Sequence, residues 1–512
     1  MELPSISTII MTIIVVFFVR FIFKFFIRPY IKLMAYKNFR GGEFVYIPLI
    51  GDYANHQADL EPHGDVYYSA FKRIEANPNI RALFFPLMTG VRINLYDPEL
   101  IKEFFAKYSK FIKDPEMFAP LPSFVRNGLV FTEGEKWKSQ RKLISQVFHF
   151  DYMNACIPII NRKCLEWIDS YCRDGTQVFL DVKKTMKMYT SRVIWRMFFG
   201  EEDIQTGVDS EKFMETILNY ASGAMTRCFS LYNFFLGPKF FKLGLRASDR
   251  EYNFEHQIVD TFAKTQLKYF REKLSKEKDS APKQSRNLIE LLLLEASKQS
   301  GNEEKVSDLD VMSQIVTFLV AGTDTTLNLL TMTHYFLALY PEIQQKLRDE
   351  IIQHLDKAGE ITYEKLSKLD YLTAILKETL RLYGPADSTF PRVATEDVML
   401  GDLLVRKGTQ ILPNLKIVHS SPKSFSNPQE FRPERWIEKK DPGVKDPFAY
   451  APFSNGARRC IGEQLAWTEA KIMITELVRR YQIDIERPYK LKMECRLVYE
   501  NTKPLNAIYT KL

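Results

Sequence analysis

The sequence predicts a mainly α-helical protein with small β-sheets and an apolar helix at its N-terminus. Three observations predict it: an apolar run from Leu3 to Val19, helical periodicity that dominates from about residue 134 to 383, and short strand-like segments before and after that stretch. Of 512 residues, 46% are hydrophobic and 26% charged, a globular balance with enough apolar material for a large core. The net charge of +8 suits an anionic membrane surface or an acidic protein partner. Without zinc-finger spacing or a polybasic run interleaved with aromatics, no nucleic-acid partner is expected.

The run from Leu3 to Val19 reaches ~25 Å as a helix, close to a thin bilayer. Arg20, Lys24, Arg28 and Lys32 follow at four-residue steps among phenylalanines, a basic stripe whose side chains reach lipid headgroups. Glu2 is the only acid in the first forty residues, and six Lys or Arg follow the apolar run, so the positive-inside rule places the body of the protein in the cytosol. A cleaved signal peptide would carry its positive charge before the apolar run and small residues at a cut site, and neither is present. Residues 1–28 are therefore expected to be a membrane anchor with its basic flank, and residues 29–512 a single catalytic domain.

After an irregular entry around Pro48 and Pro62, NIRALFFPLM and VRINLY read as strands, and Asp97 caps a helix with Pro98 in its first position. In the helical stretch, EKLSKEKDSAPKQSRN and KQSGNEEK read as surface loops too short to divide domains. Ser307 and Asp310 form an S-x-x-D start for a helix that runs to Pro341, ~50 Å long and too polar at Thr323 to Thr326 for a comfortable membrane span. A further helix carries Glu378 and Arg381 and stops at Gly384-Pro385. Residues 389 to 413 turn to strands with Gly401-Asp402 and Lys407-Gly408 turns, and the last twenty residues read as extended. No internal repeat is present.

The chain holds six cysteines and no CxxC pair, the usage of a reducing compartment. Cys156, Cys164 and Cys172 recur every eight residues downstream of His149, but structural zinc favours closer pairs, which makes them small buried hydrophobes. Cys460 differs. The segment PFSNGARRCIGEQLAWTEAKI places Phe453, Gly456, Arg458, Cys460 and Gly462 at F-x-x-G-x-R-x-C-x-G spacing before a helix, five positions that chance matches roughly once in several million windows. A thiolate that ligates iron must be kept deprotonated and fed hydrogen bonds from nearby amides, and a glycine-bearing loop at a helix N-terminus supplies them. Gly456 lets the backbone approach a flat cofactor, and Arg458 is suited to a carboxylate on it.

This loop resembles the haem-binding signature of the cytochrome P-450 family, in which a cysteine thiolate favours O-O bond cleavage. Read alone, Ala321 and Gly322 favour a close helix crossing, with Asp324 half-solvated, over a ligand lying against that face. Beside the cysteine loop, AGTDTT resembles the family's oxygen-activating motif, which implies that Ala321 and Gly322 leave room for dioxygen, Thr325 hydrogen-bonds it once reduced and Asp324 relays protons. Glu378 and Arg381 match the family's ExxR, implying a buried structural network with Arg435 of FRPERW, where Trp436 replaces the usual Phe. The WxxxR pair Trp137 and Arg141, with Arg392 in FPRVATEDV, is implied to contact the haem propionates. VRKGT departs from the family's usual proline before KGT, a local matter.

The resemblance implies the P-450 fold, with haem b held between the long distal helix and the Cys-loop helix. It implies a haem-thiolate monooxygenase of the microsomal eukaryotic type, anchored in the endoplasmic reticulum membrane by a single pass. No flavin or nicotinamide fingerprint is present, so NADPH-cytochrome P-450 reductase, with cytochrome b5 as a second donor, is the implied electron source. The substrate is expected to be a hydrophobic small molecule contacted by residues 113 to 131, 210 to 245, Phe318, Ala321 and 386 to 390. The stretch EGEKWKSQRKLISQVFHFD resembles the branch that includes fatty-acid omega-hydroxylases. Lys136, Lys138, Arg141, Lys142, Arg458 and Arg459 read equally as a dock for an acidic partner or a solvated face. A haem-thiolate isomerase or dehydratase and a non-catalytic haem sensor are the alternatives, and neither requires the Asp324-Thr325 pair together with a reductase.

Overall fold

The computed structural model describes residues 6–88, 90–148, 150–172, 176–200, 209–276, 287–298, 306–355 and 359–512. His149 and most of the two polar stretches expected as surface loops lie outside them. The chain divides into two compact units, Met1–Asp114 with Asp387–Pro428 and Asp441–Arg458, and Pro115–Ala386 with Gln429–Lys440 and Arg459–Leu512. Residues 29–512, expected to act as one domain, are distributed over both, and the chain passes between them repeatedly.

The first unit opens on the helix Ile6–Ile22, continues through a π-helical turn at Phe23–Ile27, and ends the helical run at Arg28–Met34. Ile10, Met11, Phe17 and Phe18 project outward, and the stretch Ile10–Met34 is long and apolar enough to cross a membrane. The two strands expected after it form the antiparallel pair Ala82–Leu87 and Gly90–Leu95. They are the second and third strands of a six-stranded sheet whose order is Gly42–Phe44, Ala82–Leu87, Gly90–Leu95, Gln410–Pro413, Arg392–Ala394, Phe111–Lys113. Strand Ala82–Leu87 is buried along its whole length, as its near-continuous apolar run requires. Phe84, Ile93 and Ile411 join Leu33, Ile101 and Phe104 in the core. Asp97 caps the helix Pro98–Ala106 by accepting from the Glu99 amide, with Pro98 at the expected first position. The hairpin Val398–Leu400 with Leu403–Val405 turns at Gly401, as expected.

The second unit is built around the helix Asp308–Leu339. Its start is the expected capping box: the Asp310 amide donates to Ser307 Oγ at 3.2 Å, and the Ser307 amide donates to Asp310 at 2.9 Å. The helices Val182–Phe199, Ala247–Lys276, Asp370–Tyr383 and Glu463–Val478 pack on it. Thr323, Asp324 and Thr326 are buried among them, so this is a core helix whose polar middle faces protein. Within the stretch from 134 to 383, expected to be dominated by helices with two polar loops, one strand is an addition. Gln177–Asp181 pairs antiparallel with the C-terminal strand Asn506–Lys511, which in turn pairs with Tyr481–Ile485. A five-residue strand whose partner lies at the far end of the chain has no local signal to announce it.

Candidate active site

In the first unit, Gly456–Arg458 forms a single 3₁₀ turn after the half-buried Phe453. Gly456 has φ +66°, where a side chain is strained, and a Cβ there would lie 3.5 Å from Phe105. Asn455 pins the turn, its side-chain Oδ1 accepting from the Gly456 amide at 2.8 Å and its Nδ2 donating to Pro447 O at 3.1 Å. Arg458 and Arg392 share the ring of Tyr108, at 5.8 and 4.0 Å from its centroid, and Arg392 also donates to Phe111 O at 3.1 Å. Burial and the neighbouring Arg458 both work against the charge of Arg392. Two guanidiniums so placed suit an anionic partner, the chemistry of a cofactor carboxylate.

In the second unit, Cys460 precedes the helix Glu463–Val478. It is densely surrounded yet keeps accessible surface. Burial and the Glu463 carboxylate push its thiol up, while the Gly462 amide, Arg141 and Arg459 favour the thiolate. Buried Cys156 and Cys172 differ, because burial alone pushes each up to about 12. With Cys164 they are inert core thiols, and among the described residues no group of His, Cys, Asp and Glu could hold a metal ion. Arg141 Nη2 donates to the Arg459 carbonyl at 2.9 Å, which ties helix Gly134–Ile144, the helix that also carries Trp137, to the residue before Cys460. Arg459 itself clamps Glu463 at 2.6 and 2.8 Å. With Lys136 paired to Asp310 at 2.7 Å and Lys138 to Glu135 at 2.6 Å, several cations of the suggested dock already hold acids.

The distal helix separates the residues grouped by its motif. Ala321 is exposed in the middle of an otherwise buried helix, and Gly322 and Thr325 beside it are partly so. A Cβ on Gly322, however, would lie 2.4 Å from Ile194 Cδ1. The close crossing is thus what the structure shows at Gly322, while Ala321 supplies the open surface. Phe318, expected near substrate, is buried against Phe198 and Phe148, with ring centroids 5.0 and 5.9 Å away. Phe148 escaped the sequence reading, although it also lies 3.9 Å from where a Cβ of Gly462 would sit. Thr325 Oγ1 donates to Ala321 O at 2.7 Å, leaving its lone pairs to accept. Asp324 is buried, and its carboxyl is pushed up to about 7, first by burial and then by Glu500, against Lys183 and Lys187.

The ExxR pair forms the expected network. Glu378, fully buried, accepts from Arg381 Nε and Nη2 at 2.9 Å, from Arg435 Nε at 2.9 Å and from the Arg432 amide at 3.0 Å. Trp436 explains its own departure from the family pattern: its indole N–H donates to Glu378 Oε2 at 2.9 Å, which phenylalanine could not do. Trp436→Phe is expected to cost about 1.5–3 kcal/mol, the range for a hydrogen bond to a charged group, measured as a lower urea midpoint at unchanged slope.

A cysteine loop at a helix start and an acid-alcohol pair on a buried helix define a class of haem-thiolate proteins. The chain belongs to the cytochrome P450 family, whose sequence model matches residues 83–506. It is 29% identical over 428 residues to cytochrome P450 3A13 of Mus musculus, covering 80% of this chain and 81% of that protein. To cytochrome P450 3A9 of Rattus norvegicus it is 30% identical over 423 residues, 80% of each. To the 7-deoxyloganic acid hydroxylase of Catharanthus roseus it is 29% identical over 404 residues, 78% of this chain and 76% of the enzyme. Family members are monooxygenases that bind haem, take electrons from a redox partner and act on hydrophobic substrates. The residues of each unit fit that group: in the second, a thiol beside an amide donor and two arginines suits its iron, and in the first, buried Arg392 with half-buried Arg458 suits its carboxylates.

Proposed function

We propose that the protein is a haem-thiolate monooxygenase of the endoplasmic reticulum membrane, inserting one oxygen atom of dioxygen into a hydrophobic small molecule with electrons from NADPH through a separate reductase. Cytochrome b5 is a second candidate donor. The observation that carries this is Cys460, exposed just before the helix Glu463–Val478 and closing the F-x-x-G-x-R-x-C-x-G loop, with the Gly462 amide, Arg141 and Arg459 beside its sulfur. When bound, haem supplies the iron that activates dioxygen. The protein's own share is positional and protonic. Cys460 holds the iron, and Trp137, Arg141, Arg392 and Arg458 hold the propionates. Phe453 and Gly456 shape the loop, Ala321 and Gly322 border the oxygen side, and Glu378, Arg381 and Arg435 brace the unit from which Cys460 projects. Residues 29–512 act as one catalytic domain behind the anchor formed by residues 1–28.

Asp324 and Thr325 deliver the protons. The Asp324 carboxyl holds its proton below about pH 7 and loses it above. Its raised pKa gives stability that is fully present below the ordinary carboxyl range and is lost as pH rises through 7. Product formed per NADPH is therefore expected to fall as pH rises past 7, and Asp324→Asn is expected to flatten that profile while lowering turnover roughly 10- to 100-fold.

Reconstitution with reductase, NADPH and labelled dioxygen, against fatty acids, sterols and aromatic xenobiotics scored by haem spin-state shift, tests the function. Labelled hydroxylated product supports it. Peroxide turnover without reductase would make the protein an isomerase, and ligand binding without product a sensor. The fatty-acid reading rests on the stretch around Trp137 and falls if sterols or drugs shift the spin state and lipids do not.

A further inference from the structure

Asp324 lies in the core, but a ladder of charge leads from it toward the surface. Asn328, one turn further along the same face of the distal helix, donates through Nδ2 to the carbonyl of Tyr499. That bond docks the strand Tyr499–Asn501 on the helix beside Asp324. Glu500, the next residue, pairs with Lys183 on the helix Val182–Phe199, and Lys183 Nζ also reaches the Asn501 carbonyl at 3.4 Å. Exposure grows along the ladder, from 8% for Asp324 through 14% for the Glu500 side chain to 30% for Lys183. The charged groups that face Asp324 are Glu500 on the strand and Lys183 and Lys187 on the helix. Glu494, opposite Glu500 in the sheet register, is held by Arg496 at 3.5 Å and Thr502 at 2.9 Å.

We propose that Lys183 and Glu500 are positioning residues for oxygen activation, an ion pair that sets the pH at which Asp324 holds its proton. The two partners act in opposite senses. The Glu500 carboxylate repels a second negative charge and keeps the proton on Asp324, whereas Lys183 stabilises the ionised form directly and also offsets Glu500. The pair is half-open to solvent, so each charge is partly screened and the setting follows whatever occupies this surface. Nothing local connects Lys183, Asp324 and Glu500 in the sequence, and only the docking of the C-terminal strand brings them together. The importance of that proton rests on the monooxygenase reading; the proton affinity itself does not.

The test follows the Asp324 carboxyl by infrared spectroscopy against pH in the haem-loaded resting protein, its band assigned by loss in Asp324→Asn. Glu500→Gln is expected to lower the titration midpoint, and Lys183→Met to raise it, each by about one pH unit. Lys187→Met, which leaves the pair intact, is expected to raise it by less. Lys183→Arg and Glu500→Asp, which keep the charges, are expected to leave it in place. A merely structural pair would give the same response when either partner is removed. Equal midpoints in Glu500→Gln and Lys183→Met, or shifts of the same sign, overturn the proposal. Failure of the monooxygenase reading appears separately, as an absence of labelled product at any pH.

Discussion

Cys460→Ser is expected to abolish the red-shifted Soret band of the reduced carbon monoxide complex and to lower turnover at least roughly a thousandfold, a loss of about 4 kcal/mol in transition-state stabilisation. A serine hydroxyl cannot supply an anionic donor at neutral pH, and the Gly462 amide, Arg141 and Arg459 that favour a thiolate would then face a neutral group. Cys495→Ser changes an exposed thiol outside this setting and is expected to leave the band in place. Persistence of the band in Cys460→Ser would show that another side chain ligates the iron and would remove the basis for the assigned chemistry.

The second large effect is expected at Glu378. One carboxylate there serves two buried guanidiniums, a main-chain amide and an indole N–H. Glu378→Leu leaves Arg381 and Arg435 buried without that counter-charge, which costs about 3–5 kcal/mol. Since whole domains retain only about 5–15 kcal/mol, the variant should accumulate poorly and fail to retain haem, read as a lower haem-to-protein ratio and earlier unfolding in urea. Replacing Glu378, Arg381 and Arg435 together with well-packed apolar residues is expected to be milder than Glu378→Leu alone, because the cost lies in the uncompensated charge. Equal stability of wild type and Glu378→Leu would mean that other acceptors, such as the Glu430 carbonyl that both guanidiniums already reach, suffice for the arginines.

Much of the site was legible because its signals are short-range. The spacing around Cys460 is a property of one loop, and Ser307 with Asp310 is a property of one helix start. Asp97-Pro98 and the Gly401-Asp402 turn were readable for the same reason. The resemblance then tied Glu378 and Arg381 to Arg435 across the chain, and the structure brings the three together. Other positions were ambiguous in sequence. Gly322 fitted both an oxygen-side gap and a close crossing, and only the position of Ile194 shows that the crossing is made. Phe318 was expected to contact substrate, and which aromatic rings line up beside it, Phe148 and Phe198, depends on neighbours that the spacing within one helix does not name. Trp436 read as a neutral departure from pattern until Glu378 proved to lie within reach of its indole.

By itself, then, the sequence determined the helical class, the apolar N-terminal stretch, the thiolate loop and the acid-alcohol pair, since periodicity, caps and motif spacing are written within a few turns of chain. Only the tertiary structure decided which side chain keeps open surface on the distal helix, why the indole of Trp436 is used, and that Lys183 and Glu500 stand beside Asp324. Those contacts join residues 58 to 317 positions apart, and burial and charge are properties of the surroundings a fold creates.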